Sequence, residues 1–345
     1  MVDIRNKKYG VLLIGCGYIG YQHIEGIYDK ENVTVIAVID KNEETAKEFA
    51  ERFGALHYGT DYRPYLDDPR VEIVIVATYT DTHFSITKES LEHGKHVICE
   101  KPIARSLEEA AEYVRMVKAS PCKATVSYIL RYNGSYRKIK ELIDAGEIGD
   151  LRLFRFSQNH STDKAHTWSR FLRLMEDCTP LVDCGVHYAD VIRWFSGSEI
   201  VSVSGVSASL DPSTPVDNYQ MMTLRLENGC SACYEVGWSR NMTTQLTKDF
   251  IGTKGHITLD LSYTRPEPTD KDLITVYRND GSAPEYIEMD SVYKNMSAQF
   301  DNLVNMIETG AESVIPIDDV YAAFRAVITA DRAIREHTIL DPREF

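Results

Sequence analysis

Short apolar runs alternate with amphipathic stretches through the first third of the chain. VLLIG, VTVIAVID, VEIVIVA and KHVICE are rich in β-branched residues, and helix-compatible YQHIEGIYDK, KNEETAKEFAERFG, DTHFSITKESLEHG and LEEAAEYVRMVKAS stand between or after them. Continuous apolar runs of this length mark strands buried on both faces, so residues 8 to 130, with KATVSYIL as a last strand, predict a doubly wound parallel sheet. Asp81 is expected to cap the helix that Gly94 stops, and Ser106 to cap the next. After the helical stretch SYRKIKELIDAGEIG the period changes. LRLFRFSQ, IVSVSGVSAS, NYQMMTLRL, CSACYEVGW, GHITLD, LITVYR and EYIEM follow with a single predicted helix among them, LVDCGVHYADVIRWFSG. That is the pattern of a mainly antiparallel open sheet. SAQFDNLVNMIETG and DVYAAFRAVITADRAIREH close the chain as helices. The fold class expected is α/β, with a doubly wound domain over 1–125 and an α+β domain on a large, mainly antiparallel open sheet over 126–345. No long linker separates them, so a shared interface with ligands bound there is expected.

Length agrees with two domains, since 345 residues exceed the usual ~100–200 for one. With 43% hydrophobic and 26% charged residues the composition is that of an ordinary globular protein. No run approaches the ~20 apolar residues that span a bilayer, and MVDIRNKKYG lacks a signal-peptide core, so no membrane association and a cytoplasmic location are expected. A net charge of −14 argues against nucleic acid as a partner. The seven cysteines, scattered through apolar segments, read as reduced thiols. Cys230 and Cys233 form a CxxC, but an offset of three puts them on opposite faces of a strand. Cys178, Cys184 and His187 match no closed zinc spacing, so no metal is expected. Few helices follow residue 150 to cover the second sheet's outer face. An apolar face left open calls for a second copy, as a homodimer or homotetramer.

GCGYIG carries Gly15, Gly17 and Gly20 directly after a strand and before a helix, the setting a GxGxxG needs to bind a dinucleotide. The first glycine allows the tight turn, the second lets backbone approach a pyrophosphate, and the third lets helix pack on strand. VTVIAVID ends in Asp40, about twenty residues on, where a carboxylate accepts the ribose hydroxyls and repels a 2′-phosphate. NAD is therefore expected over NADP, with Lys41 leaving NADP open.

Glu100, Lys101 and Pro102 follow the KHVICE strand at the sheet edge where α/β folds bind ligands. Asp183, His187 and Asp190 share one face of a helix. Lys101 reads as catalytic or as a solvated surface amine. Asp183 and His187 read as catalytic or as a helix cap and an interior histidine.

GCGYIG, VID, THFSITKESLEHGKHVICEKPIA, LVDCGVHYADVIRWFSG and GTKGH together resemble the Gfo/Idh/MocA family of oxidoreductases. The resemblance covers most of the chain and implies a Rossmann domain followed by an α+β domain for substrate binding and oligomerisation. It implies that Lys101 of EKP, and Asp183 with His187 of DxxxH, are catalytic. Around the cofactor it places Gly15, Gly17, Tyr18, Ile19, Gly20, Asp40, Thr78, Tyr79, His83, Glu100, Lys101, Arg131 and Trp168. Tyr132, with Lys101, Asp183 and His187, is implied to meet substrate. The activity implied is hydride transfer between nicotinamide and a secondary alcohol of a sugar, an inositol or a sugar derivative. Two departures bear on the pocket: Tyr79 follows Thr78 where the family has proline, and EDCTP precedes Leu181 where glycines are usual.

The chemistry closes on the residues themselves. Alcohol oxidation needs a proton acceptor, and histidine, with a pKa of about 6.5, cycles near neutral pH. Lys101 can donate to the same oxygen as it gains charge, and Asp183 can hold His187 or the substrate in register. Two alternatives stand beside this reading: a glycosidase that oxidises, eliminates and restores the hydride with no net NADH, and a catalytically silent NAD-binding regulator. Asn159, His160, His166, Asp217 and Asn218 read as polyol contacts or as loop caps and surface groups. The acidic balance disfavours a highly anionic substrate.

Overall fold

A computed structural model describes residues 8–162, 165–264 and 269–345. The first compact unit holds the described residues up to Ile129 together with Lys294–Tyr321, and the second holds Leu130–Tyr293 and Ala322–Phe345. The sequence-based boundary near 125 falls close to Ile129. The chain's return to the first unit was not expected.

In the first unit β1 (Tyr9–Ile14), α1 (Tyr18–Glu25), β2 (Val33–Ile39), α2 (Glu43–Phe53), β3 (His57–Gly59), α3 (Arg63–Leu66), β4 (Ile73–Val76), α4 (Thr80–Glu92), β5 (His96–Cys99), α5 (Leu107–Ala119) and β6 (Ala124–Val126) alternate. Their six strands lie parallel in the order β3-β2-β1-β4-β5-β6. The central strands β1 and β4 are buried throughout, as strands covered on both faces must be, whereas the edge strand β3 is exposed. Ser106 caps α5 as expected, accepting from the Glu109 amide. Asp81 does not cap α4: the cap position is Tyr79, without a side-chain bond, and Asp81 lies inside the first turn, where it meets the positive end of the helix dipole.

In the second unit, α6 (Gly134–Asp144), β7 (Leu151–Ser161), α7 (Ala165–Asp177), α8 (Pro180–Ser196), β8 (Ile200–Ala208), β9 (Tyr219–Leu226), β10 (Ser231–Ser239), β11 (Lys248–Gly252), β12 (Gly255–Asp260), β13 (Lys271–Arg278) and β14 (Glu285–Asp290) follow. Eight strands run β14-β13-β12-β11-β7-β10-β9-β8, antiparallel except for the parallel pair β7 and β10. Among the described residues two α-helices, α7 and α8, interrupt the strands where one was expected. α7 was missed although Trp168, Phe171 and Met175 are spaced at helical intervals and are all buried. β11 was missed too, because its five residues KDFIG show no clean alternation.

α9 (Met296–Thr309) explains the return to the first unit: Phe300, Leu303, Val304 and Met306 join Ile24, Ile27 and Val33 in one apolar cluster. α10 (Ile317–Arg335) completes the chain, its residues from Ala322 on belonging to the second unit.

The outer face of the second sheet is less apolar than the sequence suggested. Arg155 donates to Asp249 at 2.7 Å, and Asn159 and Tyr219 both donate to Glu235, with Met221 and Cys233 among them. No described helix is long and apolar enough to cross a membrane.

Candidate active site

The glycine turn is built as a cradle. Gly15 has φ +98°, and a Cβ there would stand 2.3 Å from the Ala77 carbonyl oxygen, while one on Gly20 would stand 1.9 Å from that of Gly15. A Cβ on Gly17 would meet nothing within 4 Å, so it would fill the open space in front of the turn. The first turn of α1 has no side-chain cap, which leaves its amides to a phosphate. Tyr18 is exposed there, and Ile19 is half-buried. These features fit a dinucleotide.

Asp40 is locked at the end of β2. Its Oδ2 accepts from the Cys16 amide and its Oδ1 from the Asn42 amide, each at 2.9 Å. Each oxygen keeps a lone pair for a ribose hydroxyl. Asp40→Ala is expected to weaken NAD binding by roughly ten- to a hundredfold, the scale of one or two hydrogen bonds to a charged group, and to narrow the margin over NADP. Titration of both dinucleotides checks this, and an unchanged NAD to NADP ratio contradicts it.

Glu100 and Lys101 follow β5. Glu100 is buried, with Oε1 2.8 Å from His23 Nε2 on α1 and Oε2 accepting from the Lys101 amide. Burial pushes its carboxyl up, but the His23 bond and charge, then Lys101 and Lys294, outweigh burial and hold it at about 2. Glu100 thus anchors the backbone that presents Lys101. His23 was not singled out from the sequence, although a histidine on the packed side of a helix signals a buried partner.

His83 is buried and faces two carbonyls, that of Pro102 at 2.7 Å from Nδ1 and that of Thr78 at 3.1 Å from Nε2. It braces the segments after β4 and β5. Thr78 is held further by the Thr82 hydroxyl, and Tyr79 stands partly exposed beside it.

In the second unit α8 carries DxxxH. Thr179 caps the helix, accepting from the Val182 amide, and its hydroxyl also donates to Asp331. Gln220 donates to the same Asp331 oxygen while accepting from the Leu181 amide, so three side chains that sequence reading missed seat the start of the helix. Asp183 is buried and accepts from the Cys184 thiol at 3.6 Å, and His187 is half-buried one turn on. Asp190, a further turn along, is committed to an ion pair: its carboxylate takes Arg131 in a bidentate pair, Nη2 at 2.6 Å and Nε at 2.9 Å. Arg131 and Tyr132 lie buried on the 3₁₀ turn Ile129–Tyr132. Trp168 is buried under the Arg240 guanidinium, 5.0 Å from its ring centroid.

Of the further polyol candidates, Asn218 caps a loop, accepting from the Leu210 amide and donating to the Trp238 carbonyl, and Asp217 takes the Ser207 hydroxyl. Asn159 donates through Nδ2 to Glu235 while its buried Oδ1 takes no hydrogen bond from the described residues, and His160 stacks on Phe171. The side chain of His166 lies outside the described residues. Among the described residues no group of three or more His, Cys, Asp or Glu is placed to hold a metal ion.

Lys248, unforeseen in the sequence, is wholly buried on β11, donating to the Ser157 and Thr247 carbonyls, with Nζ 4.8 Å from the centroid of the Tyr188 ring. Burial pushes its amine from 10.5 down to about 7, against the pull of Asp249 and Cys184. Between those two values the unfolded chain binds the extra proton, so the penalty of burial is full below pH 7 and fades as pH rises. Relative to Lys248→Met, the wild type is expected to gain a few kcal/mol between about pH 6 and 10. Urea midpoints across that range check it; a constant gap contradicts it.

A glycine cradle with an acid at the end of β2, on a six-stranded parallel sheet, defines a dinucleotide-binding protein. The chain belongs to the Gfo/Idh/MocA family: residues 9–128 match its oxidoreductase domain with NAD-binding Rossmann fold, and residues 136–258 match its C-terminal domain. It is 27% identical over 251 residues to the scyllo-inositol 2-dehydrogenase (NAD(+)) of Bacillus subtilis, covering 71% of this chain and 72% of that one. To the levoglucosan dehydrogenase of Pseudarthrobacter phenanthrenivorans it is 29% identical over 288 residues, covering 73% of each. The structure of scyllo-inositol dehydrogenase from Lactobacillus casei with NAD(H) and scyllo-inositol superposes with a TM-score of 0.80 over 98% of this chain and 100% of that one. At 22% identity that likeness shows the shared fold. The protein is an NAD-binding oxidoreductase of this family.

Proposed function

We propose that this protein is a dehydrogenase that oxidises a secondary alcohol of an inositol, a sugar or a sugar derivative, with NAD preferred over NADP. The observation that carries the reading is the pair of intact motifs, EKP at Glu100–Pro102 and DxxxH at Asp183–His187, in a chain whose relatives include an inositol and a levoglucosan dehydrogenase. Bound nicotinamide supplies the hydride acceptor. His187 takes the hydroxyl proton, Lys101 donates a hydrogen bond to the same oxygen as negative charge grows on it, and Asp183 fixes the orientation of His187 or of the substrate. Tyr132 completes the substrate contacts. Around the cofactor, Gly15, Gly17, Tyr18, Ile19 and Gly20 meet the phosphates and Asp40 the ribose. Arg131 and Trp168 act near the nicotinamide; Thr78, Tyr79, His83 and Glu100 shape the strand-end loops.

The seven free cysteines fit a reducing compartment, and we assign the protein to the cytoplasm. Assembly as a homodimer or homotetramer through the outer face of the second sheet belongs to the same reading. A monomer mass in sedimentation at micromolar concentration contradicts it.

The experiment is a panel of inositols, aldoses, anhydrosugars and sugar acids with NAD, followed by NADH absorbance. NADH formation with at least one neutral polyol or sugar supports the proposal. Consumption of a glycoside without net NADH favours the glycosidase alternative, and dinucleotide binding with no turnover across the panel favours the silent regulator.

A further inference from the structure

We infer that Lys294 is a cofactor-binding residue whose ammonium lies against the pyrophosphate of the dinucleotide at the first turn of α1. The proposal rests on four observations within the first unit. Lys294 Nζ stands 4.7 Å from the centroid of the Tyr18 ring. Tyr18 is the first residue of α1, directly after Gly17, and is 54% exposed, so the amine is held at the mouth of the glycine cradle and not in the core.

The charge of Lys294 is also felt at Glu100, at the end of β5. A charge that sits over Tyr18 after β1 and helps hold Glu100 after β5 ionised lies toward the carboxyl edge of the sheet, where α/β folds bind dinucleotides. The backbone position of Lys294 is fixed as well. Asn295 caps α9, accepting from the Ala298 amide, and α9 begins against the C-terminal end of α1, where a Cβ on Gly26 would stand 3.2 Å from the Ser297 amide, so the Lys294 stem runs back along α1 to Tyr18.

The chemistry calls for such a cation. A dinucleotide pyrophosphate carries two negative charges, and a helix N-terminus offers only about half a positive charge. The protein around it has a net charge of −14. A lysine on a four-carbon stem loses rotamer freedom when it pairs, but contact with an aromatic face restricts the stem before the phosphate arrives. Tyr18 thus holds Lys294 in place, and Lys294 supplies the charge.

Binding of three probes to Lys294→Met tests this: NAD and ADP-ribose, which carry the pyrophosphate, and adenosine, which does not. The dissociation constants of NAD and ADP-ribose are expected to rise together by roughly five- to thirtyfold, the scale of a charge-assisted hydrogen bond, with adenosine unchanged. Added salt should weaken NAD binding less steeply in the variant than in the wild type. Tyr18→Ala should give a smaller loss in the same two probes, and the double variant should lose less than the product of the singles. Lys294→Arg, which keeps the charge, should retain most of the affinity and serves if the methionine variant is poorly folded. Unchanged NAD affinity in a folded Lys294→Met, or an equal loss for adenosine, overturns the proposal.

Discussion

His187→Ala is expected to lower turnover by roughly 10² to 10⁴, the range over which a positioned general base accelerates proton transfer, while NAD binds as before. Lys101→Ala should do comparable damage. If the two groups serve one substrate oxygen, the double variant should lose much less than the product of the two single losses. Turnover of each variant on whichever polyol reacts, with NAD affinity measured in parallel, checks the assignment. Near wild-type turnover in either single variant places the chemistry on other residues, and multiplicative losses separate the two groups.

Asp190→Ala is expected to destabilise the second unit by about 3–5 kcal/mol, because it leaves the Arg131 guanidinium buried without its carboxylate. The two side chains are 6% and 1% exposed, so water cannot take over the lost bonds. For a domain of this size the loss corresponds to a fall in melting temperature of roughly 10 °C. Replacing both residues with apolar side chains, as in Arg131→Met with Asp190→Leu, should recover much of it, since a buried pair contributes little beyond its own desolvation penalty. A loss under about 1 kcal/mol in Asp190→Ala would show that the pair is not needed to hold α8.

The contrast between Asp190 and its neighbours shows how far the sequence could be read. Helical spacing put Asp183, His187 and Asp190 on one face, and all three lie on α8. Spacing alone could not say that Asp190 is committed to a residue 59 positions away. His23 and Glu100, 77 positions apart, were hidden for the same reason. Pairing between distant side chains leaves no periodic signal. The parallel strands and the glycine turn were legible because burial on both faces dictates continuous apolar runs and because only glycine fits where a Cβ would strike a carbonyl. Lys248 lay outside any such rule: a lysine in a five-residue strand reads as exposed until the strand's neighbours are known.

The residues assigned to chemistry make one claim above the rest, that hydride leaves a carbinol carbon while His187 takes the hydroxyl proton. It is tested most directly by giving the protein NAD and an inositol or sugar deuterated at its carbinol carbons, then following the label. The account expects one deuterium on the nicotinamide for each ketone formed, and in His187→Ala a transfer slowed by the same roughly 10² to 10⁴ as turnover. Product that carries the label back on carbon, with no labelled NADH accumulating, would contradict it.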